Sequence, residues 1–448
     1  MVGSRWEGVR ALRTAVRRDP GLLRLVTVRL LGPLGDGTVQ AALLGVVFFS
    51  PEQETEPFAI AAGFAVLLLP YSVLGPFAAA ALDRWDRRLV LVVGTVLRAL
   101  LMCVLAVGML TGGSANPGGR SLMFGVALAL AGTSRFIAAG INAAMPHVTP
   151  VAGLVVLNSV LATAGAVLAA SGALVSLAVL AVVGTDASAG VTVAVAAVTP
   201  VVAAVLMTRF APQSLGPGRV IRRSLVAVAT DLGLGLARGL GAAWRAPRVT
   251  AALAGLVAHR AVFGVNTMVG VLVMRQAESV EGPGLLSGIG GFGLVVAAVT
   301  TGMFLAAVLT PVLVRRFGVR ASVLGALVVL VAGQVGLLAT VSPRGLVAGG
   351  LVLGCAGQVV KLCGDAAMLL DVPTWRRGQV FAVQDMLFNA VFVLALVGAA
   401  PFVPQDGHAP TLVAGLGALY LLAALLVAGD VRRRAVPVDT VAVSRPRR

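Results

Sequence analysis

Seven of the polar side chains inside long apolar stretches could serve a solute and proton path: Asp36, Gln40, Arg135, Arg260, Gln358, Lys361 and Asp365. Asp36 stands in Gly35-Asp36-Gly37, with Gln40 one helical turn later on the same face. Burial favours a neutral carboxyl, whereas a guanidinium beside it favours the carboxylate. An aspartate that alternates between those surroundings can load and release a proton. Arg135 is the candidate guanidinium, and a static Asp36–Arg135 bridge is the structural alternative. Lys361, the single lysine of the chain, precedes Asp365 by four residues, so the two can pair along one helix face. Gln358 lies one turn away, and the pair either serves a solute and proton path or neutralises itself. Arg135, Arg260 and Lys361 together could draw an anion. Arg98 reads first as an inter-helix structural pair and second as a solute ligand. His259, next to Arg260, reads as a packed or hydrogen-bonded residue. Arg24 and Arg29 lie near the start of their span and can snorkel.

Hydrolytic, metal and nucleotide chemistry lack their residues. Three histidines (His147, His259, His408) and three cysteines (Cys103, Cys355, Cys363) are far apart, and no His-Glu-x-x-His occurs. Gly288, Gly290, Gly291 and Gly293, and Gly350, Gly354 and Gly357, come without a Walker lysine and read as close-packing surfaces. No enzyme activity and no cofactor are expected.

These side chains need elements to hold them, and the composition says which kind. The chain has 448 residues, 58% hydrophobic and only 12% charged, with mean hydropathy +0.98. Soluble domains carry about 25% charged residues. The expected fold is an all-α integral membrane protein of twelve spans: 22–49, 58–82, 89–111, 121–146, 153–183, 190–208, 250–274, 286–314, 319–340, 346–370, 379–400 and 410–429. Residues 1–208 form an N-terminal six-helix bundle and 250–429 a C-terminal one. A basic tail, 430–448, follows. The linker 209–249 contains Ile221, Leu225, Leu232, Leu236 and Leu240 at near-helical spacing, with Trp244, and reads as an amphipathic helix on the membrane face. Residues 1–20 contain no apolar signal core, so span 1 itself would direct insertion.

The net charge of +17 is explained by topology. With the N-terminus placed inside, 26 of the 35 basic residues fall in inner segments and only Arg120, Arg275 and Arg344 in outer loops. The protein is therefore expected in the plasma (inner) membrane, multi-pass, with both termini cytoplasmic. Its partners would be the lipid bilayer and a small-molecule substrate. Nucleic acid is not expected as a partner, and a monomer is.

The halves echo each other. Leu82-Asp-Arg-Trp-Asp-Arg-Arg88 after span 2 corresponds to Val314-Arg-Arg-Phe-Gly-Val-Arg320 after span 8, and Gly140–Met145 to Cys363–Met368. The first segment resembles the loop motif Gly-x-x-x-Asp-Arg-x-Gly-Arg-Arg of the major facilitator superfamily, with Ala79 and Asp86 at the two glycine positions. The resemblance extends over the whole chain and implies two pseudo-symmetric six-helix bundles working by alternating access. It implies a cytoplasmic gate of Asp83, Arg84, Arg87 and Arg88, with Asp385 as their partner from span 11. It also implies that spans 1, 4, 7 and 10 line a central cavity. Asp36, Arg135, Arg260 and Lys361 each lie within roughly 5 Å of the midpoints of those spans.

The expected function is secondary active transport of a small, amphipathic or lipophilic organic solute, driven by the proton gradient, with export by antiport as the leading direction. Proton-coupled import of an anionic metabolite, or lipid flipping on the same fold, are the alternatives.

Overall fold

The computed structural model describes residues 19–49, 57–58, 60–65, 86–113, 116–148, 151–183, 186–216, 225–282, 284–339 and 341–433. Its elements are helices α1 (Pro20–Phe49), α2 (Arg87–Leu110), α3 (Pro117–Val148), α4 (Val151–Val183), α5 (Asp186–Ala196) and α6 (Val198–Thr208) in the first half. Helix α7 (Leu225–Trp244) follows in the linker. The second half holds α8 (Pro247–Glu281), α9 (Gly288–Ala339), α10 (Pro343–Asp371), α11 (Thr374–Ala399) and α12 (Pro410–Arg433). No strand occurs among the described residues.

Local chemistry sets several ends. Asp19 Oδ1 accepts from the Gly21 and Leu22 amides and caps α1. Asp86 caps α2 by accepting from the Arg88 amide. Ser342 caps α10, with Pro343 in the first helical position. Span 6 is broken into α5 and α6 by a turn at Ala197. Spans 8 and 9 run into each other as α9, and the whole bend is made at Gly318, whose φ of 81° a side chain would resist.

Nine stretches among the described residues are long and apolar enough to cross a membrane. One of them, Gly288–Leu337, has 50 residues, enough for two crossings. Helix α1, with 30 residues, is long enough for a crossing and carries Arg24, Arg29 and Asp36 along it. Most of span 2 lies outside the described residues. The outward faces carry exposed Val93, Leu97, Leu100, Leu421, Leu422 and Leu425. Such a face is stable only against lipid.

Each half has its own core. Leu25, Leu91, Met207 and Leu215 pack at one end of the first half, and Met102, Leu105, Met109 and Val193 at the other. The second half packs around Met268, Leu272, Leu327, Val360 and Tyr420. The halves meet at the end opposite the Arg-rich loops. Ile289 of α9 packs on the α1–α4 core beside Gly45 and Leu180. Phe64 of span 2 meets Phe392 of α11 with ring centroids 5.7 Å apart.

The linker holds helix α7, which docks on α11 with Gly239, Ala242 and Ala243 buried and Leu240 exposed. Gly239 allows this, because a Cβ there would lie 2.6 Å from the Gln379 carbonyl oxygen of α11. Ile221 lies outside the described residues.

Candidate functional site

Helices α1, α2, α3, α4 and α6 enclose a cavity of about 420 Å³ in the first half. Its walls are mostly apolar, including Val28, Ile137, Ile141 and Leu161. Its charged groups are Arg29 and Asp36 from α1, Arg98 from α2 and Arg135 from α3, and Gln40 also reaches it. Asp36 pairs with Arg98 of α2. Arg98 Nη2 lies 3.0 Å from Asp36 Oδ1 and also donates to the Gly32 carbonyl at 2.9 Å. Ser134 Oγ donates to the same carboxylate oxygen at 2.8 Å. Arg135, the next residue on α3 and about 100° around the helix, also lines the cavity. Arg98 is almost fully buried at 4% exposure, while Asp36 keeps 28%. The pair is thus anchored on the arginine side and accessible on the carboxylate side. Arg98 thus forms the inter-helix pair that the sequence reading put first, and it also lines the cavity. Its partner could not be read from spacing, because nothing in a one-dimensional pattern fixes which faces of α1 and α2 meet.

Close backbone approach brings the cavity walls together. A Cβ at Gly35 would lie 2.6 Å from Thr199 Oγ1 and 3.0 Å from Arg98 Nη2. The glycines flanking Asp36 therefore make room for the partner helices as well as for the ion pair.

The second half holds its polar residues separately. Lys361 Nζ donates to Asp365 Oδ2 at 3.0 Å, so the pairing expected from the four-residue spacing forms. Gln384 of α11 donates to the other carboxylate oxygen at 2.7 Å. Gln358 is half-buried one turn before Lys361. Arg260 is elsewhere: its Nε donates to the Phe388 carbonyl at 2.8 Å. Its guanidinium carbon lies 3.7 Å from the centroid of the Phe388 ring and 4.6 Å from that of Phe392. Arg260, Gln358, Lys361 and Asp365 do not line the first-half cavity. Sequence reasoning missed the aromatic cage, although Phe388 and Phe392, one turn apart, were the available signal. Such a desolvated contact is worth about 2 kcal/mol. Phe388→Ala is accordingly expected to lower stability by that order, read as a fall in the thermal unfolding midpoint. An unchanged midpoint would show that the ring contributes nothing.

His259 is hydrogen-bonded, as the sequence reading preferred. Its Nδ1 lies 3.0 Å from Tyr420 Oη. Gly357 makes the space, since a Cβ there would lie 2.0 Å from His259 Nε2.

The expected gate is only partly described, as Asp83 and Arg84 lie outside the described residues. Arg87 donates to the carbonyls of Ala143 and Leu215, and Arg88 to that of Thr208. Both thus bind carbonyls of their own half, near the C-terminal ends of α3 and α6 and in the turn after α6, where a cation is favoured. Asp385 is exposed and is not brought to either of these arginines; its backbone carbonyl accepts from Asn389. Asp86, at a glycine position of the motif, has a local use: its Oδ2 accepts from the Gln213 amide and ties down the turn after α6.

A lipid-facing bundle of long helices with isolated ion pairs in its interior defines a multi-pass membrane transporter. An uncharacterized MFS-type transporter of Mycobacterium tuberculosis is 41% identical over 445 residues, covering 97% of this chain and 94% of that protein. One from Mycobacterium bovis matches to the same extent. The chain belongs to the major facilitator superfamily of secondary transporters. No protein-family model matches it. Among solved structures, the nucleoside transporter NupG superposes with a TM-score of 0.66 at 12% identity, over 91% of this chain and 99% of that one. The peptide transporter POT gives 0.65 at 15%, over 93% and 95%. A bacterial homologue of the iron transporter ferroportin, in an inward-facing state, gives 0.61 at 18%, over 91% and 97%. At these identities the likeness is one of fold.

Proposed function

We propose that this transporter moves a small amphipathic organic solute by alternating access and couples it to a proton carried by Asp36. One observation carries the reading: the Asp36–Arg98 pair, 3.0 Å apart, borders a mostly apolar cavity. A carboxylate that is paired on one side and accessible on the other can exchange its guanidinium for a proton as the surroundings change. The apolar walls suit the body of an amphipathic solute.

With the Arg-rich loops placed in the cytoplasm, the meeting of the halves through Ile289 and Phe64 closes the outer end. The conformation is then one that receives from, or delivers to, the cytoplasm. Exchange against protons from this state gives export, the direction first expected from the sequence. Movement together with protons gives import.

The test uses purified protein in proteoliposomes and a compound found to stabilise it in a thermal-shift screen of metabolites and antibiotics. Uptake driven by an inside-acid gradient is the result expected of antiport, and uptake driven by an outside-acid gradient that of symport. Equal flux under both gradients and without one would overturn proton coupling.

A further inference from the structure

We propose that the first-half cavity binds the anionic group of an organic acid, and that anion and proton occupy it together. This rests on the proton-coupled reading above and adds the chemical class of the solute. Three guanidinium groups, Arg29, Arg98 and Arg135, face one carboxylate, Asp36, across about 420 Å³. The charged lining is unbalanced by two positive charges. Helices α4 and α6 add no charged side chain to it.

The arginines are not equally committed. Arg29 has no hydrogen-bond or ion-pair partner among the described residues and is half-buried on the α1 wall. Arg98 is 4% exposed, yet its Nε has no hydrogen-bond partner. Thr199 Oγ1, on the same wall, is likewise buried without one. A buried cation that keeps an unsatisfied donor is costly unless a further acceptor joins it. A carboxylate, or the oxygens of a phosphate monoester, supplies acceptors in the geometry that guanidinium groups match. The surrounding Val28, Ile137, Ile141 and Leu161 fit an apolar body.

The coupling follows from shared use of Arg98. An anion that takes Arg98 removes the counter-charge of Asp36, and the carboxylate then favours its protonated form. Linkage makes the effect reciprocal: a protonated Asp36 releases Arg98 to the anion. The two ligands promote each other, so they cross together, and the proton gradient drives the acid inward.

The experiment takes the full chain in detergent with three probes of matched shape: phenylacetate, phenylacetamide and phenethylamine. At about 10 mM, phenylacetate is expected to raise the thermal unfolding midpoint by about 3 °C or more, and the amide and amine by less than about 1 °C. In weakly buffered solution phenylacetate should also draw up to about one proton per protein. Asp36→Asn should keep the phenylacetate shift and lose the proton uptake. Arg135→Gln, and the charge-balanced pair Asp36→Asn with Arg98→Gln, should lose the shift. Stabilisation by phenethylamine, by all three probes, or by none would overturn the anion assignment. Should proton-driven flux still depend on Asp36 in that case, the coupling reading stands and only the solute class falls. A phenylacetate shift with no proton uptake in the wild type would overturn joint occupancy.

Discussion

Asp36→Asn is expected to abolish uphill movement of the solute while leaving exchange between equal solute pools intact. Asparagine matches the size of aspartate and can still accept from Ser134 Oγ and Arg98 Nη2, which hold Asp36 at 2.8 and 3.0 Å. It cannot carry a proton between the two sides. With one proton per solute, a gradient of one pH unit sustains about tenfold accumulation. In the variant the ratio should fall to parity. The protein should remain folded, because Arg98 keeps the Gly32 carbonyl as a partner and Asp36 already borders the cavity. Exchange is the informative control, since it needs the same rocking motion but no net proton movement. Accumulation that stays near the wild-type value would remove Asp36 as the coupling group. Loss of exchange as well would instead assign Asp36 to solute binding or to the motion itself.

Gly37→Ala is expected to be the most destabilising single-methyl change in the first half. A Cβ at Gly37 would lie 1.9 Å from the Ala169 carbonyl oxygen and 2.7 Å from its carbon. Both atoms belong to helix backbone, so no side chain can move aside. Helix α4 would have to retreat by more than about 1 Å to reach ordinary contact. The contact is reciprocal, since a Cβ at Gly172 would lie 2.4 Å from the Leu34 carbonyl oxygen. Small residues let membrane helices approach this closely, and packing is the main attraction between helices in lipid. A cost of about 3 kcal/mol is expected. It would appear as loss of monodisperse protein on size exclusion and a lowered unfolding midpoint. Gly241→Ala is the matched control: it lies in helix α7 with no atom within 4 Å of the added methyl. There the substitution should be neutral or stabilising by about 0.5–1 kcal/mol. Equal behaviour of the two variants would show that the α1–α4 crossing does not depend on Gly37.

How much was legible depends on whether a feature is local along the chain. The Lys361–Asp365 pair is one turn of a single helix, and it forms as the spacing requires. The close-packing reading of Gly350, Gly354 and Gly357 also holds: a Cβ at Gly354 would lie 2.2 Å from the Val299 carbonyl oxygen. That Arg98 meets Asp36 was not legible, because only the rotation of α1 and α2 about their axes brings the two together. The docking face of α7 was not legible for a related reason. Its leucines mark a stripe, but small residues, with Gly239 against α11, mark the surface that can come close.

The sequence by itself determined the environment and the family. Its apolar spans can be satisfied only in lipid, because every backbone polar group there must bond within its own helix. Its arginines cluster in alternate loops, and one loop carries a family motif. Tertiary structure alone decided which charges meet. It drew Asp36 to Arg98, enclosed Arg260 among phenylalanine rings and left three guanidiniums facing one carboxylate. These are consequences of helix rotation and crossing distance, which depend on side-chain packing in three dimensions and leave no period in the sequence.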